Sequence, residues 1–240
     1  FKWLKSSALL EYPIAVTNLG FAYGTGIGTE INYVEALKWY KKAAKKDNEV
    51  AIFNIGTYYH YGYGVQKDLN KAIEWYLKAA KKGYALANFN IGILYYRGDF
   101  GKINDKNDYK TSLDYFSKCS EKNEASCIYM IGLQYERGLA VKEDKKKAFS
   151  WYLKASEGND QMAFSKIGDF YAFGVLDGEK NYKKAIKYYL KAHDLGDSDA
   201  SYSLGWIYSN GAGGIEKDIN KAYEYYKIAS KKGEVKATYN

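Results

Sequence analysis

A short motif of glycine and tyrosine occurs six times along the 240 residues of the chain. In each copy Leu or Ile precedes a glycine, a tyrosine follows three residues after that glycine, and a second glycine follows three residues later, as in Gly56, Tyr59 and Gly62. A large aromatic residue stands seventeen positions before every first glycine, such as Trp39 before Gly56. Because the period is 36 to 40 residues throughout, the whole chain is predicted to be one repeat array.

Each repeat has the apolar pattern of two helices. The first helix runs from a small residue such as Ala51 through the tyrosine of the motif, and the second carries alanines and an aromatic pair at helical spacing, as in Ala72–Ala79. Asp68 and Asp218 are predicted to cap second helices. Glycine within a helix costs about 1 kcal/mol relative to alanine. Its recurrence in the first helix therefore predicts close approach of another helix, whose aromatic side chain fills the space.

The motif also predicts the boundaries of the repeats. A second helix of an incomplete repeat occupies 1–14, six repeats follow at 15–50, 51–86, 87–126, 127–162, 163–199 and 200–236, and a further repeat begins at 237–240. The chain is accordingly predicted to be a monomeric piece of a longer array. Extra residues fall only between the two helices of a repeat, with four in the third repeat within "GDFGKINDKNDYK". They are interpreted as a tolerated surface insertion or as a functional loop.

These residues resemble a known family. The pattern A-x3-[LI]-G-x2-Y-x2-G, followed by K-A-x2-[WY]-Y-x2-A-A, is similar to the Sel-one-like repeat (SLR) family, relatives of the tetratricopeptide repeats. The resemblance covers essentially the whole chain. It implies an all-α fold, a right-handed α-solenoid of stacked antiparallel helix pairs, and a role as scaffold or adaptor that binds a partner protein or peptide in a concave groove.

The resemblance also implies which residues face that groove, because first helices build the concave wall of tetratricopeptide relatives. Three positions of each first helix are involved: two before the Leu or Ile, one after the first glycine, and one before the second glycine. They place at the groove Phe53, Phe89, Tyr129 and Tyr202, then Thr57, Ile93, Leu133 and Trp206, and finally Tyr61, Arg97, Arg137 and Phe173. Aromatic residues and arginine are enriched at binding hot spots. The alternative is that the earliest of these aromatics pack between neighbouring repeats.

The sequence gives catalysis little support. The only histidines, His60 and His193, do not recur and do not stand in a metal-binding spacing. The glycines near Gly62 follow a helix rather than a strand, so they do not match a nucleotide-binding loop. We therefore predict no catalytic residue, no metal site and no cofactor.

The net charge of +8 suggests a second class of function. One lysine recurs near the end of successive second helices, and stacking of the repeats would align Lys42, Lys78, Lys118, Lys154 and Lys191 into a ladder. Such a ladder either keeps the surface soluble or binds an anionic glycan or another polyanion. Only Arg97 and Arg137 are arginines, and arginine is preferred for bidentate phosphate and base recognition, so nucleic acid is disfavoured as a partner.

The two cysteines, Cys119 and Cys127, replace alanines of other repeats. A cysteine-rich bacterial branch of the SLR family joins repeats by a disulfide with C-x7-C spacing, but here both cysteines stand one position early. The resemblance thus implies a possible disulfide, and the alternative is two small buried residues. An exported or periplasmic location is favoured by a disulfide and a cytoplasmic one by its absence. No apolar run approaches the roughly 18 residues of a membrane span.

Overall fold

The computed structural model describes residues 1–99 and 105–231, which divide into two compact units: unit 1 ends at Cys119 and unit 2 begins at Ser120. Part of the insertion in the third repeat and the predicted start of a further repeat at 237–240 lie outside the described residues. Within the described ranges the regular structure is helical, with thirteen α-helices, one short 3-10 helix and no strand. The predicted all-α architecture of helix pairs is confirmed.

The helices follow one another as successive pairs. Unit 1 contains α1 (Lys2–Leu9), α2 (Pro13–Thr25), α3 (Tyr33–Ala44), α4 (Glu49–Tyr61), α5 (Leu69–Lys81), α6 (Ala85–Arg97) and α7 (Lys106–Ser120), of which only the last residue belongs to unit 2. Unit 2 contains α8 (Ala125–Arg137), α9 (Lys145–Glu157), α10 (Gln161–Phe173), α11 (Tyr182–Asp194), α12 (Ser198–Asn210) and α13 (Ile219–Lys231), with the 3-10 helix at Ala212–Gly214.

The first glycine of each motif lies against an aromatic ring of the second helix. A Cβ added at Gly132 would stand 2.8 Å from the ring of Tyr152, which is fully buried. The same contact joins Gly20 to Tyr40, Gly56 to Tyr76, Gly92 to Phe116, Gly168 to Tyr189 and Gly205 to Tyr226. The close approach predicted from the sequence is confirmed, and the ring comes from the second helix of the same repeat.

The second glycine of the motif ends the first helix. Gly62 has φ of 78°, a left-handed conformation that other residues adopt only at a cost, and its amide donates to the carbonyl of Tyr58 at 2.9 Å. The chain then turns back, and the amide of Asp68 donates to the carbonyl of Tyr59 at 2.9 Å. The glycine, the tyrosine and the N-cap thus set the angle between the two helices of a repeat.

The predicted N-caps are confirmed. The side chain of Asp68 accepts from the amide of Lys71 at 3.0 Å, and Asp218 accepts from the amide of Lys221 at 2.9 Å. The ammonium of Lys71 then lies over the ring of Tyr59, 5.7 Å from its centroid, and Lys221 lies likewise over Tyr208 at 5.3 Å. One lysine therefore ties the start of the second helix to the tyrosine of the first through a cation–π contact.

Two N-cap aspartates are expected to respond in opposite ways to replacement by asparagine, which keeps a capping oxygen. Burial raises the pKa of Asp160, so ionising this group weakens the fold and stability rises as the pH falls through its folded pKa. The backbone amide and the ammonium of Lys71 lower the pKa of Asp68, so its contribution is present above the unfolded pKa and is lost as the pH falls through the folded pKa.

At neutral pH, Asp160→Asn is expected to keep or raise the melting temperature, whereas Asp68→Asn lowers it. In acid the loss in Asp68→Asn disappears, because Asp68 is then protonated in the parent protein as well. Thermal unfolding from neutral to acidic pH measures the melting temperatures of both variants and of the parent protein. If both variants lowered the melting temperature equally at neutral pH, the opposite pKa shifts of Asp68 and Asp160 would be contradicted.

Candidate functional site

The residues expected to face a groove differ in exposure by position. Those two places before the Leu or Ile pack onto the buried ring of their own second helix: Phe53 onto Tyr76 at 5.4 Å between centroids, Phe89 onto Phe116 at 6.0 Å, Tyr129 onto Tyr152 at 5.4 Å and Tyr202 onto Tyr226 at 5.4 Å. Their rings are partly or fully buried in the helical framework. The packing joins helices within one repeat.

The residues one position after the first glycine differ in their exposure. Leu133 is buried and Ile93 is half-buried, while Trp206 is 42% exposed. Thr57 accepts a hydrogen bond from the hydroxyl of Tyr76 at 3.3 Å. In the second repeat this position therefore provides a polar partner for the buried tyrosine, whereas Trp206, like Phe21 at the same position of the first repeat, offers an exposed ring.

The position before the second glycine is exposed in every case. Tyr61, Arg97, Arg137 and Phe173 all lie at the surface, and Phe173 is 67% exposed. In unit 1 Tyr61 stacks on His60 with 4.3 Å between centroids and on Tyr63 with 5.5 Å. Tyr61 nevertheless remains 55% exposed beside these two stacked rings.

Three of the expected residues meet at one pocket in unit 2. Phe173, Tyr202 and Trp206 line an open cavity of about 280 Å³ together with Ala172 and Ile207. Phe173 ends α10 and the other two aromatics lie on α12, so the pocket spans the junction between consecutive first helices. We call this cavity the unit 2 pocket.

Sequence reasoning missed the residues that α11 adds to the unit 2 pocket. Tyr182 and Tyr189 form part of its wall, and the rings of Tyr182 and Trp206 lie 6.2 Å apart. The ring of Tyr182 packs against the loop after α12, since a Cβ added at Gly213 would clash with that ring. A signal was present: an apolar or aromatic residue stands three positions before the first buried small residue, alanine or Ser112, of most second helices, as at Tyr33, Leu69, Tyr109, Tyr182 and Ile219.

A charged cluster of Glu136, Lys166 and Asp169 lies beside the unit 2 pocket. Lys166 Nζ is 3.3 Å from Glu136 Oε1 and 4.0 Å from Asp169 Oδ2. The hydroxyl of Tyr152 donates to Glu136, and that of Tyr189 donates to Asp169 Oδ1 at 2.8 Å. Burial raises the pKa of both tyrosines, and the adjacent carboxylates raise it further, so both phenols remain donors.

Burial also raises the pKa of the Asp169 carboxyl. The bond from Tyr189 and the charge of Lys166 lower that pKa, whereas the charges of Glu136 and Asp197 raise it. Asp169 is therefore a carboxylate whose charge is only partly compensated. Its position follows the first glycine of the fifth repeat, one of the positions expected to face the groove.

The two histidines have structural partners. His60 Nδ1 lies 3.3 Å from the hydroxyl of Tyr76, and His193 Nδ1 lies 2.9 Å from Ser201 Oγ. Burial lowers the pKa of His60, and the charge of Lys67 lowers it further. Across residues 1–99 and 105–231, no group of His, Cys, Asp and Glu side chains is arranged to hold a metal ion.

The lysines of the expected ladder lie over aromatic rings. The distances from Nζ to the ring centroid are 5.5 Å for Lys42 over Trp39, 4.4 Å for Lys78 over Trp75, 4.8 Å for Lys118 over Tyr115, 5.4 Å for Lys154 over Trp151 and 5.0 Å for Lys191 over Phe164. Each lysine stem covers apolar surface of its repeat, while the ammonium stays near water. The regular spacing of these lysines thus has a packing role in addition to any role in anion binding.

Cys119 and Cys127 are both fully buried, at the positions that alanine occupies in other repeats. They belong to different units. The disulfide between them stays a prediction. None of the helices in the described part of the chain combines the length and the apolar character of a membrane span.

The successive helix pairs, each closed by a glycine–ring contact, define a helical repeat protein of the solenoid class. The chain belongs to the Sel1 repeat family, whose model matches residues 13–48, 50–84, 85–123, 125–160, 165–197 and 198–234. Sel1 repeat proteins are generally non-catalytic scaffolds that bind other proteins. The resemblance seen in the sequence is confirmed.

Solved structures agree with this assignment. A Sel1 repeat protein from Oxalobacter formigenes is 32% identical with a TM-score of 0.85, and the match covers 93% of this chain and 89% of that one. The c5321 protective antigen of uropathogenic Escherichia coli, which has an SLR fold, is 29% identical with a TM-score of 0.78 over 99% of this chain and 50% of that one.

An immunity protein from Pseudomonas aeruginosa, 17% identical with a TM-score of 0.63 over 91% of this chain and 80% of that one, shares the fold alone. A comparison with curated protein sequences found no match.

Proposed function

We propose that the chain is a scaffold that binds a partner protein through a peptide segment, and that a large apolar side chain of this segment enters the unit 2 pocket. The observation that supports this proposal is the convergence of Phe173, Tyr202 and Trp206, three residues of the expected groove, on one open cavity. Phe173 is 67% exposed and Trp206 is 42% exposed, which leaves two large aromatic surfaces in water. Exposed aromatic clusters beside a cavity are typical of protein-binding sites.

The dimensions of the cavity favour a protein side chain over a free small molecule. Its volume of about 280 Å³ lies below the typical range of about 300–1,000 Å³ for small-molecule sites. The neighbouring surface of α10 and α12 provides room for the backbone that carries the anchoring side chain. Tyr202 and Tyr182 are already packed against the scaffold, so their rings are preorganised and lose little entropy on binding.

The test starts from peptides selected from a random display library on the immobilised protein. Trp206→Ala and Phe173→Ala are each expected to weaken the selected peptides by at least about tenfold, as is typical of hot-spot aromatics. Tyr223→Ala is the matched control, because Tyr223 is 62% exposed on α13 but does not line the pocket. Fluorescence anisotropy measures the affinities, and thermal unfolding verifies that each variant is folded. Peptides that bind Trp206→Ala as tightly as the parent protein would contradict the proposal.

The same variants separate this function from recognition of a polyanion. If the lysines bind an anionic glycan, retention on a heparin column should fall steeply with salt and should be equal in Trp206→Ala and the parent protein. A depression of about 850 Å³ lined by Lys38, Lys41, Lys42, Lys45 and Lys46 in unit 1 is where such an anion would bind. Glu11 already pairs with Lys42 at 3.2 Å and with Lys46 at 2.7 Å, which reduces the free positive charge there.

A further inference from the structure

The side chain of Tyr189 connects the charged cluster of Glu136, Lys166 and Asp169 with the unit 2 pocket. The ring of Tyr189 forms part of the pocket wall, while its hydroxyl donates to Asp169 Oδ1 at 2.8 Å. The carboxylate of Asp169 is therefore bonded directly to a residue that an anchoring side chain would touch. The residues that line the pocket itself are uncharged, so Asp169 is the charged group that this wall brings next to the anchor.

Asp169 retains capacity to bind a cation. A carboxylate has about four acceptor sites, and the hydroxyl of Tyr189 occupies one of them on Oδ1. Within the described part of the chain, Oδ2 has only Lys166 nearby at 4.0 Å, beyond hydrogen-bond distance, and Lys166 lies closer to Glu136 at 3.3 Å. The side chain of Asp169 is 34% exposed, so a ligand has access to it.

The electrostatic surroundings favour a positive group. Burial raises the pKa of Asp169 and the charges of Glu136 and Asp197 raise it further, so this carboxylate stands among acidic groups with Lys166 as its nearby cation. An ammonium or guanidinium placed against Oδ2 would supply the missing charge, whereas a carboxylate there would meet three acidic groups. Arg137 ends α8 in the preceding repeat, does not line the pocket, and its charge lowers the pKa of Tyr152.

We infer that the unit 2 pocket selects a partner segment that carries lysine or arginine next to its apolar anchor, with the basic group paired to Asp169. This inference rests on the proposed function, since it concerns the same pocket. According to this inference, the segment of the partner that binds is basic. The net charge of this chain, +8, would by itself favour an acidic partner.

The experiment compares selected peptides with versions in which their lysine or arginine is replaced by glutamine. The variant Asp169→Asn removes the charge but keeps an oxygen that accepts from Tyr189. Asp194→Asn, on the exposed end of α11, is the matched control. Basic peptides are expected to bind Asp169→Asn about three- to tenfold more weakly than the parent protein, as for an accessible charge-assisted bond. Their glutamine versions should bind both proteins equally.

The outcomes distinguish the two proposals. The inference is supported if the selected peptides carry basic residues beside the anchor and if their affinity falls in Asp169→Asn but not in Asp194→Asn. Peptides that require Trp206 but show no basic residue, or an acidic one, beside the anchor would overturn the inference and leave the proposed function standing. Peptides that do not require Trp206 would overturn both. Substitution on the peptide side tests the pairing even if Asp169→Asn lowers the stability of the protein.

Discussion

Replacing Gly132 with leucine is expected to lower the free energy of unfolding by about 3 kcal/mol, the upper end of the usual range for overpacking. A Cβ at this position would stand 2.8 and 2.9 Å from two ring atoms of Tyr152 and 3.2 Å from the Cβ of Trp151. The ring of Tyr152 cannot move aside, because it is fully buried and packs on Tyr129 and Phe170. The helices α8 and α9 must therefore separate. Urea or thermal unfolding measures the loss.

A double variant separates steric conflict from other effects of the substitution. Gly132→Ala is expected to destabilise the parent protein, but in a Tyr152→Leu background the same change should be neutral or stabilising, since alanine is favoured over glycine in a helix by about 1 kcal/mol. Ser150→Leu on the exposed face of α9 controls for the added apolar surface. A Gly132→Leu variant with the melting temperature of the parent protein would disprove the close contact.

The scaffold was predictable because its rules are local and repeat six times. A glycine that costs stability in a helix predicts a close neighbour, and an aspartate ahead of an apolar run predicts a cap. Both inferences hold at Gly56 and Asp68, where the ring of Tyr76 and the amide of Lys71 are the partners. Six copies with the same spacing turn each weak local signal into a strong one. The repeats also show which positions are free to vary.

The candidate site was only partly predictable, because helix periodicity gives the face of a residue but not its depth. Phe89 and Phe173 both belong to the expected groove wall, yet Phe89 packs on Phe116 while Phe173 is 67% exposed. Thr57 is also predicted to face the groove, and in the structure it accepts a hydrogen bond from the hydroxyl of Tyr76. The need of a buried phenol for a polar partner arises only when two helices are brought together.

Tyr182 shows a second limit of the sequence. It lies at the start of a second helix, and the expected groove was built from first helices alone. Its ring lines the unit 2 pocket and also packs against the loop after α12, where Gly213 leaves no room for a side chain. That contact joins residues of different repeats through an irregular turn. Periodicity has no information about such a contact, although the recurrence of apolar residues at this position indicated that it is used.

Removing one hydroxyl, in Tyr152→Phe, is expected to cost about 1.5–3 kcal/mol, the range for hydrogen bonds to charged groups. The hydroxyl of Tyr152 donates to Glu136, whose side chain is only 23% exposed and keeps Lys166 as its remaining partner.

The matched variant is Tyr226→Phe. The hydroxyl of Tyr226 lies 3.3 Å from Ser209 Oγ, a neutral group that also donates to the carbonyl of Trp206. We expect that variant to lose at most about 1 kcal/mol, and Phe116 shows that the framework accepts a ring without a hydroxyl. Adding Glu136→Gln to Tyr152→Phe should recover part of the stability, because a neutral amide loses less than a carboxylate when its donor is removed. Urea unfolding measures the free energy of unfolding of both variants. Equal losses in Tyr152→Phe and Tyr226→Phe would show that the hydrogen bond from Tyr152 to the Glu136 carboxylate contributes no more than a neutral one.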